Sequence, residues 1–592
     1  MSKKSRSMDR RAPLSDRMGD ESRSRFDAQP KPSWFSQVVF RESVEAVAVA
    51  FILAFLFRTF EAEAFVIPTG SMADTLMGLH KDVTCRECGH PYRVGISTGM
   101  SDQTSGVPKG LDVVRSVCPL CRYEMDVRRQ RAFSGDRVLV NKFVYHFQEP
   151  RRWDVAVFKY PEGAKTNFIK RLVGLPNETI RIHRGDLFVQ ESGEDGFTIA
   201  RRPPEKIRVM LHTIHDTEHL PATLLEHGWP SRWQPDADSP GWRVADDFRS
   251  FAHDGAAGRE AWLRYHHVVP SQQAWNAADR GMPLDQNLIP QLVSDYCAYN
   301  AGTAEFQYNR RSRGPVDGED QKGLGVHWVG DLAVSCTFEV RSKQGEVVLE
   351  LVEGGRRMQC RIDVATGRAE LSIVGDEFRR ETTTAVSRPG TYELMFANID
   401  DQLLLWVNGT VVAFDKPTTY DPLGNTTPRP DDLAPVGIAS RGADVEIRNV
   451  KVLRDIYYIA VGPSKYTGRV CDYRNGAGLF VSTANEEHAS PSRIQYFLSH
   501  PDLWPEAFSD GNMREAVFPL HDDQFLMLGD NSPASKDSRM WTEDEYYVDR
   551  ELLIGKALFV YWPHSWDEIG IGEEKSIPFP FFPNFKQMRF VR

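Results

Sequence analysis

The chain has 592 residues, 41% of them hydrophobic and 26% charged, with a formal net charge of -10 and a mean hydropathy of -0.43. That length exceeds one ordinary core and implies two to four domains, and the composition is that of a soluble globular protein, so membrane contact must be local. The acidic balance argues against broad nucleic-acid binding, which needs a basic surface, and no phosphate-cradling glycine loop or Walker motif is present.

Residues 1–43 read as a disordered basic tail, rich in Lys, Arg, Ser and Asp. Residues 44–60 read as a membrane anchor. The apolar run from Ala46 to Phe57 crosses a slightly thinned bilayer once Val44 and Phe60 are counted and Glu45 and Arg58 snorkel. The basic tail then stays on the cytoplasmic side and everything after Phe60 lies outside. A buried helix is one alternative. A cleavable signal peptide is another, with Ala62 and Ala64 at small-x-small spacing, but the long region ahead of the run favours an uncleaved anchor.

Beyond the anchor, "AFVIPTGSM" starts as a strand and breaks at Pro68 and Gly70, which puts Ser71 on a tight turn. Taken alone, such a Gly-Ser pair is an ordinary turn. As a nucleophile, Ser71 needs a base. His80 and His90 are near in sequence, but no aspartate-histidine pattern supports a Ser-His-Asp arrangement.

Next along the chain, Cys85-x-x-Cys88 and Cys118-x-x-Cys121 are paired knuckles with 29 residues between them. With Gly89 after the first pair and Pro119 inside the second, residues 85–121 read as a zinc-ribbon-like insertion. Its four thiolates suit structural, tetrahedral Zn(II). Two disulfides or a redox dithiol are the competing reading outside the cytoplasm. Cys297, Cys336, Cys360 and Cys471 lack ligand spacing and read as buried thiols.

A lysine can serve Ser71 if burial holds it neutral, which lowers its pKa from about 10.4 to near 7–8 at a cost of roughly 3–5 kcal/mol. Lys142 and Lys159 sit near strand ends, whereas Lys170 lies inside "TNFIKRLVGLPNETI". Strand alternation puts Phe168, Lys170 and Leu172 on one face and Ile169, Arg171 and Val173 on the other. Arg171 must therefore find a partner of its own.

Residues 201–241 and about 271–325 show few periodic signals and read as long loops. Within 242–455, "LAVSCTFEVRS", "EVVLELVEG", "RMQCRIDVATG", "RAELSIVG" and "DVEIRNVKVLRDIYY" are short alternating strands split by Gly, Asp and Asn turns. This is the pattern of an antiparallel β-sandwich. "ELMFANIDDQLLLWVNGTVV" resembles a laminin-G or concanavalin-like jelly roll. Trp328, Trp406 and Asn408 offer a face for a glycan or protein ligand. Alternatively Trp406, which alternates with Leu404, belongs to the core, and the sandwich is a scaffold that limits access to a cleft.

Five segments occur together in order: "PTGSM" after the apolar run, "WDVAVFKYP", "FIKRLVGLP", "GDNSPASKDSR" and the closing "LLIGKALFVYWP". This set resembles bacterial type I signal peptidase of peptidase family S26, a membrane-anchored Ser-Lys endopeptidase that removes signal peptides from exported proteins. The resemblance implies a mainly β fold with one transmembrane helix. The β-barrel-like catalytic core would come in three pieces, 61–84, 122–200 and 456–592, carrying the two insertions.

It also implies Ser71 as nucleophile, Lys170 as general base, and an oxyanion hole made by the Ser71 N–H and the Thr69 hydroxyl. Ser535 would hydrogen-bond and orient the lysine, while Asp530, Asp537 and Arg539 hold their loop in shape. Ile67, Met72, Leu76, Phe168 and Ile169 would line pockets for small residues of an Ala-x-Ala site, with the substrate pairing as an added strand. Catalysis needs no cofactor. The implied partners are signal peptides of preproteins and the lipid bilayer, and the implied place is the bacterial cytoplasmic (inner) membrane, with the catalytic domain on the periplasmic side.

Three residues depart from the family pattern. Asp74 replaces a proline and should lie near solvent or cap the following turn. Trp153 and Asn177 stand where glycine is frequent, and Asn is the residue other than glycine best able to take a positive φ. A membrane-anchored glycan- or protein-binding protein with the core as mere platform would have no reason to keep Ser71, Thr69, Lys170 and Ser535. A self-cleaving repressor-like Ser-Lys protease lacks its DNA-binding head here and conflicts with the anchor.

Overall fold

The computed structural model describes residues 43–51, 62–96, 111–239, 241–256, 258–284, 288–306, 325–421, 427–462, 471–474, 493–508, 511–542, 544–563, 568–570, 576–578 and 583–592. The chain forms two units, Met1–Thr59 and Phe60–Arg592. In the first, residues 43–51 are helical. No described helix is long and apolar enough to cross a membrane. The basic tail ahead of Ser43 and the remainder of the expected anchor, 52–60, lie outside the described residues.

The second unit is mainly β. One antiparallel sheet is built from β1 (Ala62–Val66), β2 (Arg137–Asn141), β3 (Val155–Lys159), β4 (Asn167–Gly174), β5 (Gln524–Leu528), β6 (Val548–Asp549) and β7 (Leu553–Trp562). Its spatial order is β1-β2-β7-β3-β4-β5-β6. These are runs of Val, Ile, Leu and Phe, and β3 and β4 are buried on both faces.

Among the described residues the expected barrel-like closure is not formed: β1 and β6 end an open sheet. The gap has a definite place. β4 pairs with β3 from Asn167 to Arg171, but β5 meets β4 only at Arg171, Leu172 and Gly174. Among the described residues, the second edge of Asn167–Lys170 carries no strand.

Two further sheets share one hydrophobic core and form the sandwich. Leu332–Val340 pairs along its whole length with Gly390–Ile399 and lies beside Asp444–Arg454. Phe251, Phe338, Phe396, Leu349 and Ile438 from the two sheets are all buried in that core. The strands expected from alternation are present. The stretch 201–241 is more ordered than its sequence suggests. It holds a helix at Pro204–Met210 and two strands, His212–Asp216 and Trp233–Pro235, that join the sandwich sheets. The loop expected at 271–325 also has structure in its described part: a helix at Gln272–Asp279 and a strand at Thr303–Phe306. Neither has enough apolar periodicity to be found alone. Both form against partners remote in sequence.

The cysteine knuckles cap two hairpins, His80–Thr84 with Pro91–Gly95 and Leu111–Val117 with Glu124–Asp126. The described sandwich connection is laced into them. Thr303–Phe306 pairs with Leu111–Val117, and the Trp275 indole donates to the Cys121 carbonyl at 2.9 Å.

Candidate active site

Strand alternation along β4 is realised. Phe168 and Leu172 pack with Ala156, Phe158, Met527 and Trp541, whereas Ile169 packs with Val138, Val140, Val155 and Val157 on the other side. Lys170 is thereby carried into an apolar surround, with Nζ 5.5 Å from the Phe168 ring centroid. Its Nζ lies 2.5 Å from Ser71 Oγ, across 99 residues of sequence, and both side chains are buried. Burial pushes the Lys170 pKa down to about 8, against the opposing pull of the Asp537 and Asp530 carboxylates.

Ser71 sits in a short 3-10 turn, Gly70–Met72, preceded by Thr69 in extended conformation. The catalytic-loop candidate packs directly on this turn. A Cβ placed on Gly529 would come within 2.4 Å of the Ser71 carbonyl oxygen and 2.2 Å of Ser535 Oγ, so only glycine fits there. Asp537 accepts from Arg539 Nε and Nη2, both at 2.8 Å, and from the Gly529 amide at 2.9 Å. Asp530 accepts from Arg171 and from the Thr75 hydroxyl, the latter at 2.5 Å. Asp530, Asp537 and Arg539 thus make polar contacts within and beside this loop, and Arg171 pairs with Asp530.

Ser535 belongs to the same loop. It is buried beside Gly529, and its hydroxyl faces the Asp537 carboxylate, whose ionised form it favours, rather than Lys170. The five residues expected to line substrate pockets are buried. Ile67, Met72, Leu76 and Ile169 share one buried cluster, and Phe168 lies in another, stacked on Tyr160 at 4.5 Å. A cavity of about 560 Å³ beside the Ser71 turn is lined by none of these five. Asp74, Met77, His90, Arg122, His212 and Tyr299 are among its walls.

Asp74 is half-exposed, as a charge in place of a proline should be, and it pairs with His212 Nδ1 at 3.1 Å from the edge of the sandwich. Partial desolvation opposes its ionisation, but the hydrogen bond and charge of His212 outweigh it and hold the carboxyl below its usual range. Trp153 and Asn177 both take positive φ, +73° and +63°, so the backbone keeps a glycine-like conformation without glycine. The Trp153 indole donates to the Arg201 carbonyl and lies in a buried cluster with Ile180 and Met210.

The four knuckle cysteines converge, their sulfurs all within 4.8 Å of one another. Cys85–Cys121 and Cys88–Cys118 approach to 3.5 and 3.6 Å, and all eight cysteines of the chain are free and buried. A tetrahedral Zn–thiolate site with bonds of about 2.3 Å has sulfur–sulfur edges of about 3.8 Å, so the group fits. The knuckles are near copies. The Cys85 amide donates to the His90 carbonyl, as the Cys118 amide does to that of Tyr123. Gly89 and Arg122 occupy equivalent positive-φ positions, +69° and +60°. Arg122 is held there by stacking over Tyr296 at 3.2 Å.

Of the residues considered for a ligand on the sandwich, Trp406 is buried in a cluster with Leu404, and Trp328 packs against a different cluster. Three residues at the site had no sequence assignment. Asn531 stands within "GDNSPASKDSR" unremarked, and Tyr299 and Asn300 lie in a stretch without periodicity. All three touch the Ser71 turn or its immediate support.

The family profile described as signal peptidase, peptidase S26, matches residues 125–220 and 483–562. That match takes in Lys170 and the 529–539 loop but not Ser71. Among individual relatives, the chain is similar to signal peptidase I of Pseudomonas aeruginosa, 44% identical over 59 residues, which is 8% of this chain and 21% of the relative. It is similar to signal peptidase I of Leptolyngbya laminosa, 41% identical over 62 residues, 9% of this chain and 30% of the relative. The same holds for that of Aquifex aeolicus, 48% identical over 46 residues, 8% of this chain and 18% of the relative. The matched stretches thus span less than a third of these curated relatives. Among solved structures, 38% of the chain is similar to a carbohydrate binding module from Bacillus subtilis (8% identity, 95% of that chain, TM-score 0.21). Another 21% match is to sheep galectin-11 in complex with glycerol (15% identity, 89% of that chain, TM-score 0.16).

Proposed function

We propose that this chain is a membrane-anchored serine endopeptidase that removes N-terminal signal peptides from exported preproteins after small-x-small sites. The observation that carries the reading is the 2.5 Å approach of Lys170 Nζ to Ser71 Oγ inside an apolar surround that lowers the lysine pKa.

Neutral Lys170 takes the Ser71 proton as Oγ attacks the scissile carbonyl. The oxyanion is met by the Ser71 N–H and the Thr69 hydroxyl. Lys170, now an ammonium, returns its proton to the leaving amine. A water then repeats the sequence on the acyl-enzyme and frees Ser71. The Asp530–Arg171 and Asp537–Arg539 pairs keep the supporting loop rigid. The unpaired edge of Asn167–Lys170 suits an extended substrate strand, whose small side chains would enter pockets near Ile67, Met72, Leu76, Phe168 and Ile169 once those residues make room.

Cys85, Cys88, Cys118 and Cys121 would hold a structural Zn(II), which when bound cross-links the two hairpins and takes no part in hydrolysis. The N-terminus would lie in the cytoplasm and the catalytic unit on the periplasmic side of the inner membrane. The deciding assay incubates the full chain in detergent with a precursor carrying an Ala-x-Ala site. Wild type should release the mature chain and Ser71→Ala should not; equal cleavage by the two would sink the reading.

A further inference from the structure

The Ser71 turn is gripped from one side by Asn531. Its amide donates to the Ser71 carbonyl at 3.1 Å, and its Nδ2 donates to the Gly70 carbonyl at 2.9 Å. The Asn531 side chain is itself held by Asn300. Asn300 Nδ2 donates to Asn531 Oδ1 at 2.6 Å, and Asn531 Nδ2 donates to Asn300 Oδ1 at 2.8 Å. The neighbouring Tyr299 presses its ring on the same turn: a Cβ added to Gly70 would lie 2.0 Å from that ring. The Tyr299 hydroxyl donates to the Leu79 carbonyl at 3.2 Å. Tyr299 and Asn300 belong to the connection that leaves the sandwich and then pairs with the cysteine hairpins.

A primary amide can present either end; the Gly70 carbonyl, which only accepts, sets Nδ2 of Asn531 towards it, and the reciprocal pair with Asn300 holds the amide plane in that place. Reversed, Asn531 Oδ1 would oppose the Gly70 carbonyl oxygen, acceptor against acceptor, and the turn that carries both nucleophile and oxyanion donor would lose its anchor. Alignment of reacting groups to within a fraction of an ångström is worth orders of magnitude in rate.

We infer that Asn300 is a positioning residue for peptide hydrolysis, acting through Asn531 on the Ser71 turn, so that the sandwich connection forms part of the peptidase machinery. This rests on the reading of Ser71 and Lys170 as the reacting pair.

The test is a double-mutant cycle on the full chain in detergent, assayed with an Ala-x-Ala precursor. Asn300→Ala should lower kcat about tenfold, one hydrogen-bonded contact in the transition state. KM should stay within about twofold and the pH midpoint should not move, because Lys170 is untouched. Asn300→Asp keeps the acceptor for Asn531 Nδ2 but sets a carboxylate oxygen against Asn531 Oδ1, so it should lose at least as much as Asn300→Ala. Asn531→Ala should lose more than either, and the Asn300→Ala/Asn531→Ala double variant no more than Asn531→Ala alone. Unchanged kcat in Asn300→Ala, a loss confined to KM, or losses that multiply in the double variant would overturn the inference. Should Asn300→Ala fail to fold, Asn300→Asp carries the same cycle. If Ser71→Ala is as active as wild type, the underlying reading fails. If Ser71→Ala is inactive while the Asn300 variants are normal, only this inference fails.

Discussion

Arg171 and Asp530 lie side by side, Nε to Oδ1 at 2.7 Å and Nη2 to Oδ2 at 2.6 Å, with neither side chain exposed to solvent. Adjacent residues on one strand thus meet burial in opposite ways. Lys170 yields by a lowered pKa, whereas Arg171, which cannot lose its proton, takes a bidentate carboxylate. Asp530→Asn removes the charge while keeping the shape. It leaves a buried guanidinium uncompensated and should destabilise the fold by about 3–5 kcal/mol. Urea unfolding monitored by tryptophan fluorescence measures this; a loss below about 1 kcal/mol would mean that the pair is solvated in solution.

The proposed pairing of Ser71 with Lys170 was legible in part, because its chemistry narrows the choices. A serine without an aspartate-histidine pattern called for a buried lysine, and among Lys142, Lys159 and Lys170 the resemblance of the surrounding segments pointed to Lys170. The sandwich strands were legible from alternation and turn residues. Asn300 and Tyr299 were not: their role depends on the chain returning to the Ser71 turn, and no local pattern records a contact made across 231 positions. The strand His212–Asp216 was missed for a similar reason, since its ladder partner Asp444–Arg454 lies far along the chain. The open sheet was missed because closure is a property of pairing between strands and leaves no mark within any one of them.

The near-identical knuckles should bind about one zinc ion per chain. Metal analysis of the purified full chain checks this, and thiol titration should find the four knuckle cysteines unreactive until a chelator is added. Cys121→Ser should abolish stoichiometric binding and lower the unfolding temperature, because the two hairpins lose their cross-link. Tryptic masses showing Cys85–Cys121 or Cys88–Cys118 oxidised in the native protein would rule zinc out.

Trp153 and Asn177 both take a positive φ but should answer glycine differently. Asn177→Gly relieves little strain and loses one exposed hydrogen bond, from Nδ2 to Asp522, so stability should move by less than about 0.5 kcal/mol. Trp153→Gly relieves about 1 kcal/mol of backbone strain. It also empties a buried site worth about 3–5 kcal/mol, for a net loss of about 2–4 kcal/mol. Denaturant midpoints of the two variants decide it. Equal effects would mean that side-chain packing contributes nothing at Trp153.

The pH profile follows from the sign of the Lys170 shift. In the proposed reaction only the neutral amine accepts the Ser71 proton, and burial brings that state within reach above about pH 8, not above the unperturbed value of roughly 10.4. kcat/KM should therefore fall about tenfold per unit below that pH and level off above it, until the fold itself fails. Lys170→Arg should be inactive at every pH, since a guanidinium stays protonated. Asp537 favours the ammonium form, so Asp537→Asn should move the midpoint to lower pH, and the Arg539 charge left behind pushes the same way. A midpoint that stayed put in a folded Asp537→Asn chain would place the titrating group elsewhere. One near 10 in wild type would show Lys170 to be solvated when it works.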